Sequence, residues 1–473
     1  MRGAQLSALA GAPASVDAAL DVVAGLDDAL VTGLARPGEA QLAALGDLAA
    51  ALAVTPLGGR VAEAVAKVTA GAPADEHLAA LAGARTALLG AAHDALLAAA
   101  DAALGRERAA LPAPPAGPLP AGAAAPLPAA PLPAARSWLT ELAITGWRGV
   151  GHDLAAAGAR PIEASLAVAP LRRLAVLLDG LAGELAASCP VATMPAVPAR
   201  RWADLWARAV LLAQDDARVA DPAAAERVSG RLLVLGVDVH EHATAVQAQV
   251  HAVLEPSGGA PPRLVRTAVA ATKVDTIVGP ALWRLLADHP VLLAALAGRR
   301  ALEVTDLPLT GGDLWWRDGQ ARVGEPADPF AAARVLLPAA AAAPTPPLDR
   351  HPVAVAEPVL LEGYAVDATG DAVRFTVDGV SVAVDVDRLP TCGPLTPALV
   401  AASTACLGLL RWDAGRWTVQ PLAVQSTVKR ATVVAHTGDW AQGPTDAKVA
   451  KAEAKAGDSV AVLRERAGRL LRR

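Results

Sequence analysis

The chain has 473 residues, 53% of them apolar, and a net charge of −5. That charge is too small to make the whole molecule a polyanion- or membrane-seeking surface. The three cysteines, Cys189, Cys392 and Cys406, form neither a CxxC nor a CxC pair, which excludes a disulfide scaffold and favours a reducing cytoplasm.

Much of the apolar content is alanine, which buries little area, so leucine, valine and the ten tryptophans must supply most of the driving force for folding. The length predicts roughly two to four domains. The opening "MRGAQLSALAGAPASVDAAL" lacks a long apolar stretch and reads as no signal peptide. Runs such as "ALLGAAHDALLAAADAALG" carry His93, Asp94 and Asp101, so no membrane span is expected.

Residues 1–110 read as a helical bundle punctuated by Pro37, Pro56 and Pro73. Asp75 and Glu76 mark a first turn, and Leu81, Leu88, Leu89, Leu96 and Leu104 recur on one face. Residues 111–135, "LPAPPAGPLPAGAAAPLPAAPLPAA", are expected to be an extended linker, because proline removes backbone donors and fixes φ. A second helical domain is expected over 136–226, with Ser137 as its N-cap and a break before Pro170. Its helix "RRWADLWARAVLLA" places Trp202, Leu205, Trp206, Ala209 and Val210 on one stripe, with Arg200, Arg201 and Arg208 mostly off it. The indoles are therefore expected in a core, with the arginines in water.

At Val228 the period changes. Residues 227–337 read as an α+β domain: "GRLLVLGVDVHEHATAVQAQVHAVLEP" alternates as a strand pair, "RLVRTAV" continues the sheet, and "VGPALWRLLADHPVLLAALAG" is a helix pair broken at His289-Pro290. "DLWWRDGQARVGE" reads as a hairpin turning at Asp318-Gly319. A further Pro/Ala linker covers 338–352. Residues 353–428 read as a small β domain whose turns fall at Thr369-Gly370-Asp371, Asp378-Gly379 and Asp413-Ala414-Gly415. Residues 429–473 read as a basic helical tail interrupted near Gly457. The fold class expected is α+β and multidomain, with a helical N-terminal half and a β-rich C-terminal half of small antiparallel sheets or a barrel.

No P-loop, GxGxxG, GxSxG or HExxH pattern occurs. "ATKVDT", with Lys273 and Asp275, imitates a guanine-recognition motif but has no phosphate loop beside it, and Asp385 and Asp387 in "VDVD" read as a strand end. "VDVHEH" is the one tempting metal cluster: on a strand Asp238, His240 and His242 project from one face, and three such ligands suit Zn²⁺. A polar strand rim gives the same pattern. No catalytic, cofactor or metal residue is therefore assigned.

The succession from "ITGWRGVGHDLAAAGARPIEASLAVAPLRRLAVLLDGLAGEL" through "RRWADLWARAVLLAQ" to "GRLLVLGVDVHEHATAVQAQVHAVLE" resembles uncharacterised proteins associated with SWIM zinc-finger proteins of high-GC bacteria. Such proteins are encoded beside MoxR-type AAA ATPases and von Willebrand A-domain proteins. The resemblance covers about the last two-thirds of the chain and rests on pattern. A SWIM finger needs CxC followed by CxH, whereas Cys392 precedes glycine and Cys406 precedes leucine, so no site residue carries over. The function expected is a non-enzymatic scaffold or adaptor for protein partners, an AAA ATPase or von Willebrand A-domain protein being what the resemblance implies. The alternatives are a nucleic-acid-binding protein using the β-rich C-terminal region and basic tail, and a metal-dependent enzyme built on Asp238, His240 and His242.

Overall fold

The computed structural model describes residues 1–11, 13–110, 131–214, 225–370, 372–428, 431–456, 460–462 and 465. Most of the linker expected over 111–135, and most of the basic tail beyond 456, lie outside these residues.

The helices of the N-terminal half are α1 (Gly3–Ala8), α2 (Ala14–Thr32), α3 (Glu39–Leu52), α4 (Gly58–Thr69), α5 (Asp75–Leu104), α6 (Pro131–Thr145), α7 (His152–Ala156), α8 (Ala159–Leu166), α9 (Arg172–Ser188) and α10 (Ala199–Leu212). Helix α5 starts with Asp75 and Glu76, whose charge complements the exposed N–H groups of a first turn, and stops at Gly105, which takes a left-handed φ of 64°. Helix α6 begins at Pro131, so Ser137 lies inside the helix and is not its cap.

The two helical stretches do not form separate domains. Leu26, Leu45 and Leu81 share one core with Trp138, Leu178, Trp202 and Trp206. Trp202 and Trp206 are buried, and each indole N–H has an acceptor, Glu184 at 3.0 Å and the Leu139 carbonyl at 3.0 Å. Arg200 and Arg201 are exposed.

Among the described residues α5 is the one helix long and apolar enough to cross a membrane. It is instead built into two cores: Leu78 and Leu81 belong to the helical one, while Leu96, Leu97 and Ala100 pack on a β-sheet.

The C-terminal half holds β1 (Glu226–Glu241), β2 (Ala245–Pro256), β3 (Arg263–Thr272), α11 (Leu282–Leu285), α12 (Pro290–Ala297), β4 (Arg300–Thr310), β5 (Asp313–Leu314), β6 (Ala321–Pro326) and α13 (Pro329–Leu336). These strands pair in the order β1-β2-β3-β5-β4-β6, and β1 also pairs with β4. The β1–β4 ladder closes five strands into a ring whose interior is filled by Val237, Val250, Val269, Leu302 and Leu307, with Leu282, Trp283 and Leu292 of α11 and α12 packed on the same core. The stretch expected as a hairpin at Asp318-Gly319 is not one. Strands β5 and β6 both pair with β4, and Asp318 instead ties the turn down, accepting from the Val291 N–H at 2.9 Å and from Trp316 at 2.5 Å.

A second sheet follows, made of β7 (Ala356–Glu362), β8 (Ala365–Thr369), β9 (Ala372–Val377), β10 (Val380–Val384), β11 (Ser403–Asp413), β12 (Arg416–Val428) and β13 (Ala431–His436), with α14 (Pro397–Ala401) before β11 and α15 (Ala447–Ala456) at the end. Its order is β7-β11-β12-β10-β9-β8, with β13 on β12. The turns at Asp378-Gly379 and Asp413-Ala414-Gly415 fall where the sequence places them, while Asp371 of the turn at Thr369-Gly370-Asp371 lies outside the described residues; Asp378 and Gly379 take φ of 48° and 82°, the left-handed pair a two-residue turn needs. Both sheets are mixed, since β3 runs parallel to β5 and β10 parallel to β12. The architecture is α+β, helices mostly in the N-terminal half and two mixed sheets in the C-terminal half.

Two other segments depart from expectation. The tail read as helical from 429 begins with strand β13, and Trp440 and Ala441 beyond it are buried in the ring's core. The Pro/Ala stretch 338–352 is no free linker. The Ala341 N–H bonds to the Pro262 carbonyl and the Ala342 N–H to the Glu107 carbonyl, each returning a bond from Leu264 and Ala109, so the stretch straps β3 to the end of α5. Alanines admit this close approach, and the flanking prolines contribute no competing donor. Arg350 and Asp349 then pair with Asp94 and Arg173 on the helices.

Candidate functional site

The closed ring presents one outer face to the second sheet. Strand alternation sends Val237 inward and Asp238 outward, and the outward row of β1 meets β11 and β12. Gly236 permits this contact: a Cβ there would lie 2.4 Å from the Leu422 side chain. Leu235, Val253, Phe330, Leu407 and Ala423 form the dry part of the junction.

The wet part is a chain of buried polar groups. Asp238 accepts from Arg411 at 2.5 Å on one oxygen and from Gln420 at 2.8 Å on the other, with His240 Nε2 at 3.1 Å. Burial alone pushes the Asp238 carboxyl up, but His240 and Arg411 outweigh it and hold it well below the usual carboxylate range. His242 lies past the end of β1 in the hairpin turn, exposed, where the strand's alternation no longer applies. The structure therefore brings Asp238 and His240 together and leaves His242 apart. Among the described residues no group of three or more His, Cys, Asp or Glu side chains is placed to hold a metal.

Nearby, Glu357 at the start of β7 receives Arg106 at 2.8 Å and Arg108 at 3.0 Å, and Arg108 also holds Asp101 at 2.7 Å. Burial raises the Glu357 carboxyl, and Arg108 and Arg106 more than reverse it. His251, on the outward row of β2, is 1% exposed and its Nε2 has no hydrogen-bond partner. Burial, reinforced by Arg266, depresses its pKa to about 3, so the ring is neutral.

Of these groups Glu357 lines a groove of about 590 Å³ between the second half of α5, the outer face of β2 and β3, and the strap. Gln247, Gln249 and Arg266 stand on the strand face, and Trp315, Trp316 and Arg317 follow β5 on one wall. A pouch of about 50 Å³ adjoins it through Arg266 and Glu357, and His251 and Arg108 line that pouch. Trp316 is fixed by Asp318 and packs on the ring's core, whereas Trp315 is 41% exposed. Arg266 is paired with Asp313 at 2.9 Å. Arg317 is exposed and has no ion-pair partner among the described residues.

The other residues raised by the sequence lie elsewhere. Lys273 closes the end of β3 on Glu241 at 2.7 Å and the Ile277 carbonyl, and Asp275 is exposed. Asp385 is held by Arg388 at 2.7 Å, and Asp387 is exposed. Burial pushes the Cys392 thiol up to about 12 and raises that of Cys406 further, so both stay protonated. Sequence reading missed Gln247, Gln249, His251, Trp315 and Arg317. The doubled tryptophan next to a turn was the available signal.

No family model, no curated protein and no solved structure matches this chain.

Proposed function

We propose that this chain is a non-enzymatic, cytoplasmic adaptor that receives a segment of a partner protein in the groove between α5, the β2–β3 face and the strap. One observation carries the reading: Arg266, Asp313, Asp349 and Glu357 of the groove are held in ion pairs, while Trp315 and Arg317 are left facing solvent on the groove wall. Tryptophan and arginine are the residue types most often dominant in binding energy at protein interfaces. Gln247 and Gln249 offer amides suited to an extended backbone, and the remaining charges of the groove are paired, which suits a segment of low net charge. The resemblance to proteins encoded beside AAA ATPases and von Willebrand A-domain proteins makes a member of those systems the partner of choice.

The test is affinity purification of the full chain from its native cells, beside the double variant Trp315→Ala/Arg317→Ala. A stoichiometric partner recovered with the parent and lost with the variant supports the reading. A chain recovered alone, or a partner retained by the variant, overturns it.

A second reading follows from the strand order. A five-stranded ring β1-β2-β3-β5-β4-β1 with helices between β3 and β4 has the connectivity of small OB-type barrels, which bind oligonucleotides and oligosaccharides on the β2–β3 face and neighbouring loops. This is analogy at the level of fold alone. It predicts quenching of Trp315 by single-stranded DNA or RNA, with an affinity that falls steeply with salt. Flat titrations at low salt remove it.

A further inference from the structure

On the opposite side of the second sheet a separate cavity of about 240 Å³ lies between α1 and the ends of β10, β11 and β12. Its volume is just under the common range for ligand pockets, about 300–1,000 Å³, which limits an occupant to one ring system. Leu6 of α1 and Leu9 just after it, with Val382, Leu410, Trp412 and Trp417, give it apolar walls. The two indoles meet edge to face with centroids 5.2 Å apart, so they present an aromatic surface without closing over it.

Two polar features remain unused. Trp417 is 7% exposed, and its buried Nε1–H has no acceptor, an expensive state for an indole N–H. Arg374 and Arg416 line the same cavity, and neither has an ion-pair partner among the described residues. The acidic residues opposite them across the strands are engaged elsewhere: Asp367 accepts from Thr369 at 2.9 Å, and Asp413 accepts from Arg388 at 3.2 Å.

We propose that this cavity is a binding site for a small aromatic carboxylate. The ring lies among the indoles and leucines, and the negative charge faces Arg374 and Arg416. The site is independent of the groove described above.

The test uses the full chain at low salt with benzoate and its neutral analogue benzamide, read by calorimetry and by saturation-transfer NMR. Benzoate is expected to bind saturably, about tenfold or more tighter than benzamide, a difference worth one charge-assisted contact. Arg374→Ala/Arg416→Ala, on the exposed rim, brings benzoate down to the level of benzamide with an unchanged melting temperature. Trp417→Phe weakens both probes. Absence of saturation with benzoate overturns the proposal, and so does equal affinity for the two probes or benzoate binding untouched by the double arginine variant. Should Trp417→Phe fail to fold, the arginine variant alone decides.

Discussion

Two buried charge clusters in this molecule make an instructive pair. In the helical half Arg85, with 0% exposure, spends its guanidinium on Asp27 at 2.6 and 3.1 Å, Asp204 at 3.5 Å and the Arg200 carbonyl at 3.1 Å. At the junction of ring and second sheet Arg266, Asp313 and Glu357 line a groove, and His251 Nε2, buried beside the adjoining pouch, is left without a partner. In the first cluster every guanidinium nitrogen of Arg85 has a partner. The second is incomplete and open. A saturated network specifies one packing and can do little else, whereas an unsaturated one next to a cavity retains capacity for a ligand. That contrast is what favours the junction for the binding role proposed above.

The largest expected effect breaks the saturated cluster. Burial raises the Asp27 carboxyl even with Arg85 beside it, so removing the guanidinium leaves a carboxylate with no compensation. Arg85→Ala should cost about 3–5 kcal/mol in urea unfolding. The double replacement Asp27→Leu/Arg85→Met should recover most of that loss, because desolvation and Coulomb attraction nearly cancel in such pairs. A double variant as unstable as the single would show that the pair itself holds the bundle together.

Next comes the contact that joins the ring to the second sheet. Gly236→Ala drives a methyl group to within 2.4 Å of Leu422. The sheets must part slightly, at about 1–3 kcal/mol, and the companion change Leu422→Gly, which removes the Cβ that is struck, should relieve the clash itself. If Gly236→Ala alone leaves the unfolding midpoint unchanged, the two faces are not packed as described.

A smaller effect sharpens the comparison through pH. Burial holds His251 at about 3, and His351 and His436 at about 4, far below the ordinary histidine value. The unfolded chain takes up protons on these rings as pH falls through about 6.5, and the folded chain does not. Stability is therefore full above that pH and declines from about 6.5 toward 4. His251→Phe should flatten the melting temperature between pH 7.5 and 5 relative to the parent, since one of four histidines lowered by burial, His93 being the fourth, no longer contributes. An equally steep profile in the variant would mean that His251 reaches water.

Much of the architecture was legible. The stripe carrying Trp202 and Trp206, the switch of period at Val228 and the Asp-Gly turns are local signals, and each corresponds to a local element. The misreadings share one cause. Residues 338–352 look like a linker because Pro and Ala offer no pattern, yet two backbone groups at Ala341 and Ala342 find partners on β3 and after α5, a pairing invisible without the tertiary fold. The 429–473 tail looked helical from its lysines, while the strand Ala431–His436 depends on an available edge of β12. The site was less legible still. His251 belongs to an alternating strand, and nothing in that alternation says that its outer face meets α5 and the strap. The triad Asp238, His240 and His242 satisfied the period-two rule, but the strand stops one residue short, at Glu241.

The last prediction separates stability from binding at the open cluster. Trp315 is 41% exposed and Arg317 carries no ion pair among the described residues, so truncating both should shift stability by no more than about 0.5 kcal/mol. Trp316, fixed by Asp318 and packed on the ring's core, should instead cost about 3–5 kcal/mol when cut to alanine. Two adjacent indoles thus differ in burial, and denaturation of the two variants side by side measures what that difference is worth. Equal destabilisation would assign Trp315 to the fold and take from the groove the side chain on which its binding role rests. A silent Trp315→Ala in unfolding, joined to loss of the partner, would leave recognition as the reason for an indole at that position.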